Sequence, residues 1–231
     1  MNNSDNTTPH NSTDYDKQVR QTIPFYETIQ RETVDIIRAI SPDVKCWLDT
    51  GCGTGHLVEI ALLDFPQTHF ILADPSGPML EQAGIRLNKI SGNRVEFLPP
   101  TPTEDLLKYK PEIHPQVITA VLCHHYLERP QRSHATEACY QLLDKGGVYI
   151  TVENISFRAG QSNRSGLERW ARFQMGQGRD KSTIEEHTRR FNTKYFPITI
   201  NEHFELLERT GFRIIELFWF SHMQAGFYAI R

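Results

Sequence analysis

Neither sign of charge dominates this sequence, no apolar run is long, and cysteine is sparse. With 25 basic against 28 acidic residues and a net charge of −3, bulk attraction to nucleic acid is a poor basis for function, although a local basic patch is not excluded. The longest apolar runs, 60–63 and 117–123, are far too short to span a bilayer. The opening MNNSDNTTPHNSTD lacks the basic and apolar regions of a secretory signal, so a cytoplasmic location is expected. The four cysteines (Cys46, Cys52, Cys123 and Cys139) form no CxxC pair and are expected to be buried free thiols. Of ten histidines only His124 and His125 adjoin, and neighbours in a strand point to opposite faces, so no metal is expected.

What is present suits one α/β domain. Hydrophobic residues make up 39% of 231, enough for a packed core. Residues 1–13 carry almost nothing apolar and read as a disordered tail ahead of a domain spanning 14–231. Phe25, Ile29, Ile36, Ile37 and Ile40 follow at helical spacing, and Ser41-Pro42 stops that helix. Strands are expected at 45–50, 69–74, 94–98, 116–122 and 148–153, with helices at 54–65, 77–87 and 132–143 between them. Such alternation means right-handed crossovers and a mostly parallel, doubly wound sheet. A helix at 201–210 ends at Gly211, and 212–220 with 226–230 reads as an antiparallel hairpin on the sheet edge, seven strands in all.

The stretch 155–199 interrupts the alternation and is expected to hold helices near 165–175 and 182–191. Its nine Lys/Arg against four acidic residues make it net +5 in a net acidic chain. It leaves the carboxyl end of the fifth strand, the ligand side of such a sheet, and reads as a substrate lid. Arginine offers a bidentate fork to planar anions, so an acceptor, or a modified cofactor, with at least one negative charge is expected near Arg172, Arg189 or Arg190, against the competing reading of lid charges that only face bulk water.

The chemistry is concentrated in Asp49-Thr50-Gly51-Cys52-Gly53-Thr54-Gly55, which follows a strand and opens a helix. Alternate glycines allow a tight turn with no Cβ against a ligand, and a helix N-terminus suits a carboxylate or phosphate. A P-loop is excluded because Gly55 is followed by His56-Leu57 rather than Lys-Ser/Thr. The G-x-G-x-x-G dinucleotide pattern is not met either. Asp74 ends the second strand 19 residues after Gly55, where a carboxylate could accept from ribose hydroxyls.

The D-x-G-x-G-x-G pattern with Asp74 resembles the class I S-adenosylmethionine (SAM) dependent methyltransferases, over about residues 15–231. The resemblance implies a Rossmann-like methyltransferase fold and SAM as cofactor. It places Asp49 at the methionine end of SAM, Gly51, Gly53 and Gly55 along that moiety, Asp74 on the ribose, and Pro75 and Met79 beside the adenine. Leu122 and Cys123 match the segment under the sulfonium. Tyr15 and Arg20 resemble an N-terminal Tyr-Asp…Arg element in which the arginine neutralises the SAM carboxylate. The family's usual adenine-binding Asp after the third strand is missing, and Thr101 or Thr103 takes its place. The lid and the ending 216–230 also resemble the carboxy-SAM synthase group, which acts in tRNA wobble-uridine modification and uses an arginine near the end of the lid for an extra carboxylate.

The expected activity is methyl transfer to a small-molecule acceptor. An RNA methyltransferase or carboxy-SAM synthase relative in a tRNA pathway stays open, as does a non-catalytic SAM-binding protein, and so does a homodimer. His124, His125 and Glu153 are the candidate catalytic side chains, because they follow the fourth and fifth strands. Packing and lid-pinning are the competing readings for them.

Overall fold

The computed structural model describes residues 5–109, 112 and 114–231. Seven strands form one sheet in the order β3-β2-β1-β4-β5-β7-β6. They are β1 (Cys46–Thr50), β2 (His69–Ala73), β3 (Val95–Phe97), β4 (Val117–Val121), β5 (Val148–Asn154), β6 (Ile214–Ser221) and β7 (Gln224–Ile230). The first five run parallel, and β7 lies antiparallel between β5 and β6. The strand expectations hold to within a residue or two at most ends.

Side-chain alternation divides the core in two. Trp47, Phe70 and Val117 face one side, where they pack on α2 (Tyr26–Ile40), α3 (His56–Asp64) and α4 (Gly77–Leu87). Leu48, Ile71 and Ile118 face the other, against α5 (Leu106–Tyr109), α6 (Arg129–Leu142) and α9 (Ile200–Thr210). Gly211 closes α9 in the left-handed region at φ +112°, as the sequence predicts. Among the described residues no helix is long and apolar enough to cross a membrane.

The N-terminal helical stretch is two helices. α1 (Tyr15–Thr22) ends because Pro24 forces Ile23 out of the helical region, to φ −96°, ψ 116°. Phe25, half exposed at positive φ, restarts the chain as α2. The inserted stretch holds α7 (Gly160–Gly176) and α8 (Lys181–Arg189). It is fastened to α1, since the Trp170 indole donates to the Thr22 carbonyl at 2.6 Å.

Residues 1–4 of the expected tail lie outside the described residues. From Asp5 onward the segment departs from the expected disorder and packs on the domain. Asp5 accepts from the Ser12 backbone and hydroxyl, and its carbonyl accepts from Ser76 Oγ at 3.0 Å. His10 is 3% exposed and contacts Gln18 Oε1 and Thr22 Oγ1 through its two ring nitrogens. The segment's polar composition hid this, because its partners are polar groups on α1 and at the start of α4.

Candidate active site

Three recesses meet at the carboxyl ends of β1, β2, β4 and β5, and Tyr15 and Leu122 line all of them. Leu122 sits at φ +58°, an uncommon conformation for a branched side chain, held by its N–H donating to the Val152 carbonyl.

The first recess, about 120 Å³, lies over the glycine turn and is walled by Gly51, Gly53, Asp74, Pro75, Met79 and Thr103. Gly51 is obligatory there: at φ +64° a Cβ would stand 2.4 Å from the Cys123 Cβ. Asp74 accepts from the N–H of Gly53 at 2.9 Å and of Ser76 at 2.8 Å, so the ribose candidate also shapes the glycine turn. Burial raises its carboxyl above the usual range, and these two bonds oppose the shift. Thr103 Oγ1 reaches Thr50 and His124. Asn6, Thr7 and Thr8 form the opposite wall.

The second recess runs from the glycine turn toward α2 and is lined by Asp49, Tyr26, Gln30 and Thr54. Asp49 accepts from Thr119 Oγ1 at 2.6 Å, which in turn accepts from the Trp47 indole. Burial pushes the Asp49 carboxyl up to about 7. Gln30 is 4% exposed, and its Oε1 has no hydrogen-bond partner among the described residues. A carboxylate beside an orphaned carbonyl oxygen is a pair of acceptors at a small space, the acceptor set an ammonium donor requires. The residues present therefore fit the methionine end of SAM.

The third recess is smaller, about 20 Å³, and lies between α1, the N-terminal segment and the end of the insertion. Its polar walls include Thr22, His125, Asn154, His187, Arg190 and Tyr195. Arg190 Nη2 donates to the Thr7 carbonyl at 2.8 Å, while its Nε is buried without a partner among the described residues.

Beneath these recesses Glu153 is fully buried and accepts four hydrogen bonds: from the His124 N–H, the His125 N–H, His125 Nδ1 at 2.7 Å and Thr151 Oγ1. Burial opposes its ionisation, but the His125 bond and charge prevail and hold the carboxyl down at about 2. His125 donates through Nδ1 to Glu153 and contacts Asn154 Nδ2 through Nε2 at 3.0 Å. His124 meets Tyr149 at Nδ1 and Thr103 at Nε2, and burial lowers its pKa to about 4.

Several expectations change accordingly. Glu153 lines none of the three recesses and pins the 123–126 turn instead of facing an acceptor. Neither histidine presents a free ring nitrogen for base work, because both have been drawn into the pinning network. Arg20 pairs with Glu27 at 2.5 Å, donates to the Asp16 carbonyl and lines no recess. Thr101 donates to the Pro99 carbonyl and lies outside the recesses, which leaves Thr103 on the wall. A Cβ on Gly55 would stand 3.0 Å from the Leu87 side chain, so Gly55 serves the packing of α3 on α4. Arg172 and Arg189 are exposed, and of the three expected lid arginines Arg190 reaches the interior. Sequence reasoning missed Tyr26, Gln30 and Tyr195 as walls. Pro24, which ends α1 just before Tyr26 and Gln30, was the available signal for the first two.

Residues 48–149 match the family model described as a methyltransferase domain. The carboxy-S-adenosyl-L-methionine synthase of Helicobacter hepaticus is 25% identical over 209 residues, covering 88% of this chain and 84% of its own. The enzyme of the same name from Desulfotalea psychrophila is 26% identical and covers 94% and 88%. Among solved structures, a Burkholderia thailandensis 1,6-didemethyltoxoflavin-N1-methyltransferase, determined with its acceptor and S-adenosylhomocysteine, superimposes with a TM-score of 0.62. It shares 16% identity and covers 95% of this chain and 84% of that one.

Proposed function

Since the chain is a class I SAM-dependent methyltransferase, an enzyme of one-carbon transfer whose cofactor is SAM, we propose that it acts on a small anionic acceptor seated at Arg190. The carrying observation is the buried, unpartnered Arg190 Nε in a recess that meets the glycine-turn recess at Tyr15 and Leu122. A buried guanidinium nitrogen without an acceptor is costly unless a ligand supplies one.

In this reading Asp49 and Gln30 hold the SAM ammonium, Asp74 the ribose hydroxyls, and Pro75, Met79 and Thr103 the adenine side. Bound SAM supplies an electrophilic methyl on a positive sulfonium. The chain's own contribution is placement: Tyr15 and Leu122 bring the two ligands end to end, and the N-terminal segment and the insertion exclude water. Positioning of this kind contributes about 7–11 kcal/mol. An acceptor whose attacking atom already carries a free lone pair or a negative charge needs no general base, which agrees with the occupied ring nitrogens of His124 and His125.

A second reading is carboxy-SAM synthesis, in which the negative group at Arg190 belongs to a carboxylated cofactor. It is favoured by the position of Arg190 at the end of the insertion and by the names of the relatives. Mass spectrometry of the nucleoside retained on purification separates the two, and a transfer screen over matched neutral and anionic acceptors tests both. Arg190→Ala is expected to raise the acceptor KM about 10- to 100-fold, as loss of a charged hydrogen bond does, with SAM affinity within twofold. A neutral or cationic preferred acceptor, with kinetics unchanged in Arg190→Ala, refutes the proposal.

A further inference from the structure

Tyr195 is 2% exposed, lines the Arg190 recess, and its hydroxyl has no hydrogen-bond partner among the described residues. A buried phenol normally finds one. Its ring cannot swing to find a partner, being stacked on His187 with centroids 5.9 Å apart and met edge-on by His125, Tyr126 and Phe191. Its backbone is tied to Arg190 as well. The Arg190 carbonyl accepts from the N–H groups of Thr193, Lys194 and Tyr195, and the Tyr195 carbonyl accepts from Asn192, which sits at φ +58°. One tight loop at the end of the insertion therefore holds two buried donors without a partner among the described residues, the Arg190 Nε and the Tyr195 hydroxyl, on side chains that line the same recess. Burial holds the phenol well above its ordinary range, so it stays a neutral donor.

We infer that Tyr195 is a specificity-determining residue of this recess, donating its hydroxyl hydrogen bond to a carboxylate that Arg190 neutralises. The inference rests on the anionic-acceptor reading and names its chemistry. A recess of about 20 Å³ holds one or two water-sized groups. That suits the two oxygens of a planar carboxylate better than the four of phosphate. The carboxylate is carried either by the acceptor or by a carboxylated SAM.

The test compares wild type, Tyr195→Phe and Arg190→Lys by calorimetry in two arms. One arm measures SAM against carboxy-SAM. The other titrates acetate, then inorganic phosphate, into protein loaded with S-adenosylhomocysteine. Wild type should prefer the carboxylate in at least one arm, and Tyr195→Phe should cut that preference about 5- to 20-fold, as loss of one buried hydrogen bond does, while SAM affinity stays within twofold. Because the hydroxyl has no protein partner, Tyr195→Phe should melt at or above the wild-type temperature, so a lost preference is not a folding defect. A wild-type carboxylate preference undiminished in Tyr195→Phe overturns the inference. If wild type shows no carboxylate preference in either arm and Arg190→Lys changes nothing, the anionic reading itself falls.

Discussion

The two sides of Leu122 carry opposite hydrogen-bonding polarity. Toward the glycine turn the buried walls are acceptors: the carboxylates of Asp49 and Asp74 and the unpartnered Gln30 Oε1. Toward the insertion they include unsatisfied donors, the Arg190 Nε and the Tyr195 hydroxyl. The first set suits a ligand rich in ammonium and hydroxyl groups, the second a ligand rich in negative oxygen. The sides also differ in how the chain builds them. Asp49, Gly51, Gly53, Asp74 and Met79 come from one βαβα run, while the other recess draws on the N-terminal segment, α1, the β4 and β5 ends and the insertion. The two acidic acceptors thus come from one local motif, with Gln30 added from α2, while the donor-rich wall depends on the whole fold.

Glu153 is where that contrast breaks most severely, because it holds His124 under one recess and His125 under the other. Glu153→Ala leaves two buried backbone N–H groups and the His125 ring without an acceptor. Stability should fall on the order of 3–5 kcal/mol, read as a lower midpoint in urea, with both ligand sites impaired. The sign with pH follows from its depressed carboxyl. The ordinary value is 4.5 and the folded value about 2, so its stabilisation is complete above about pH 4.5 and lost as pH falls through 2. Glu153→Gln should lack that acid-sensitive component. Urea midpoints of the alanine variant equal to wild type would show that the turn stands without its pin.

Asp49 sharpens the same contrast from the acceptor side. Its carboxyl is raised to about 7 by burial, the opposite sign to Glu153. An ammonium ligand requires the ionised form, so binding below about pH 7 must first expel a proton. The raised value costs the free protein stability as pH rises through about 7, and a bound cation recovers it. SAM affinity should therefore weaken about tenfold per unit between pH 6.5 and 5.5, and Asp49→Asn should bind weakly with a flat profile. Calorimetry at three pH values decides it, and a flat wild-type profile removes Asp49 from the ammonium site.

Much of the frame is legible in the sequence because it is written in short apolar runs and glycines. The strands at 46–50, 69–73 and 117–121 are bounded by turns or charges, and Gly51 is forced by its clash with Cys123. The donor-rich side is not legible, for a physical reason. Thr22 and Tyr195 are ordinary polar residues whose burial arises from partners far along the chain, Arg179 for the first and His125 for the second. Residues 5–13 read as a tail because polar composition normally means solvation, yet polar partners on α1 and at Ser76 hold them down. His124, His125 and Glu153 read as catalytic because they sit at strand ends. Their spacing cannot reveal that they satisfy one another.

The smallest expected effect concerns charge that stays outside the fold. The insertion is net +5 in sequence, and that excess reads as a field for an anion. In the structure Arg172 and Arg189 are exposed, while Arg190, one residue further on, lines the recess. Exposed charges act through high dielectric and are screened within about 10 Å at ordinary salt. Arg172→Ala and Arg189→Ala should therefore leave kcat and the acceptor KM within about twofold, an effect of a few tenths of a kcal/mol. A modest loss in kcat/KM at low salt that vanishes at high salt would mark steering of the acceptor toward the recess. The contrast with Arg190→Ala, measured on the same acceptor and at the same ionic strength, is the informative quantity. If Arg189→Ala costs as much as Arg190→Ala, the division between an interior donor wall and a solvated outer face is wrong, and the whole insertion acts on the acceptor as one basic surface.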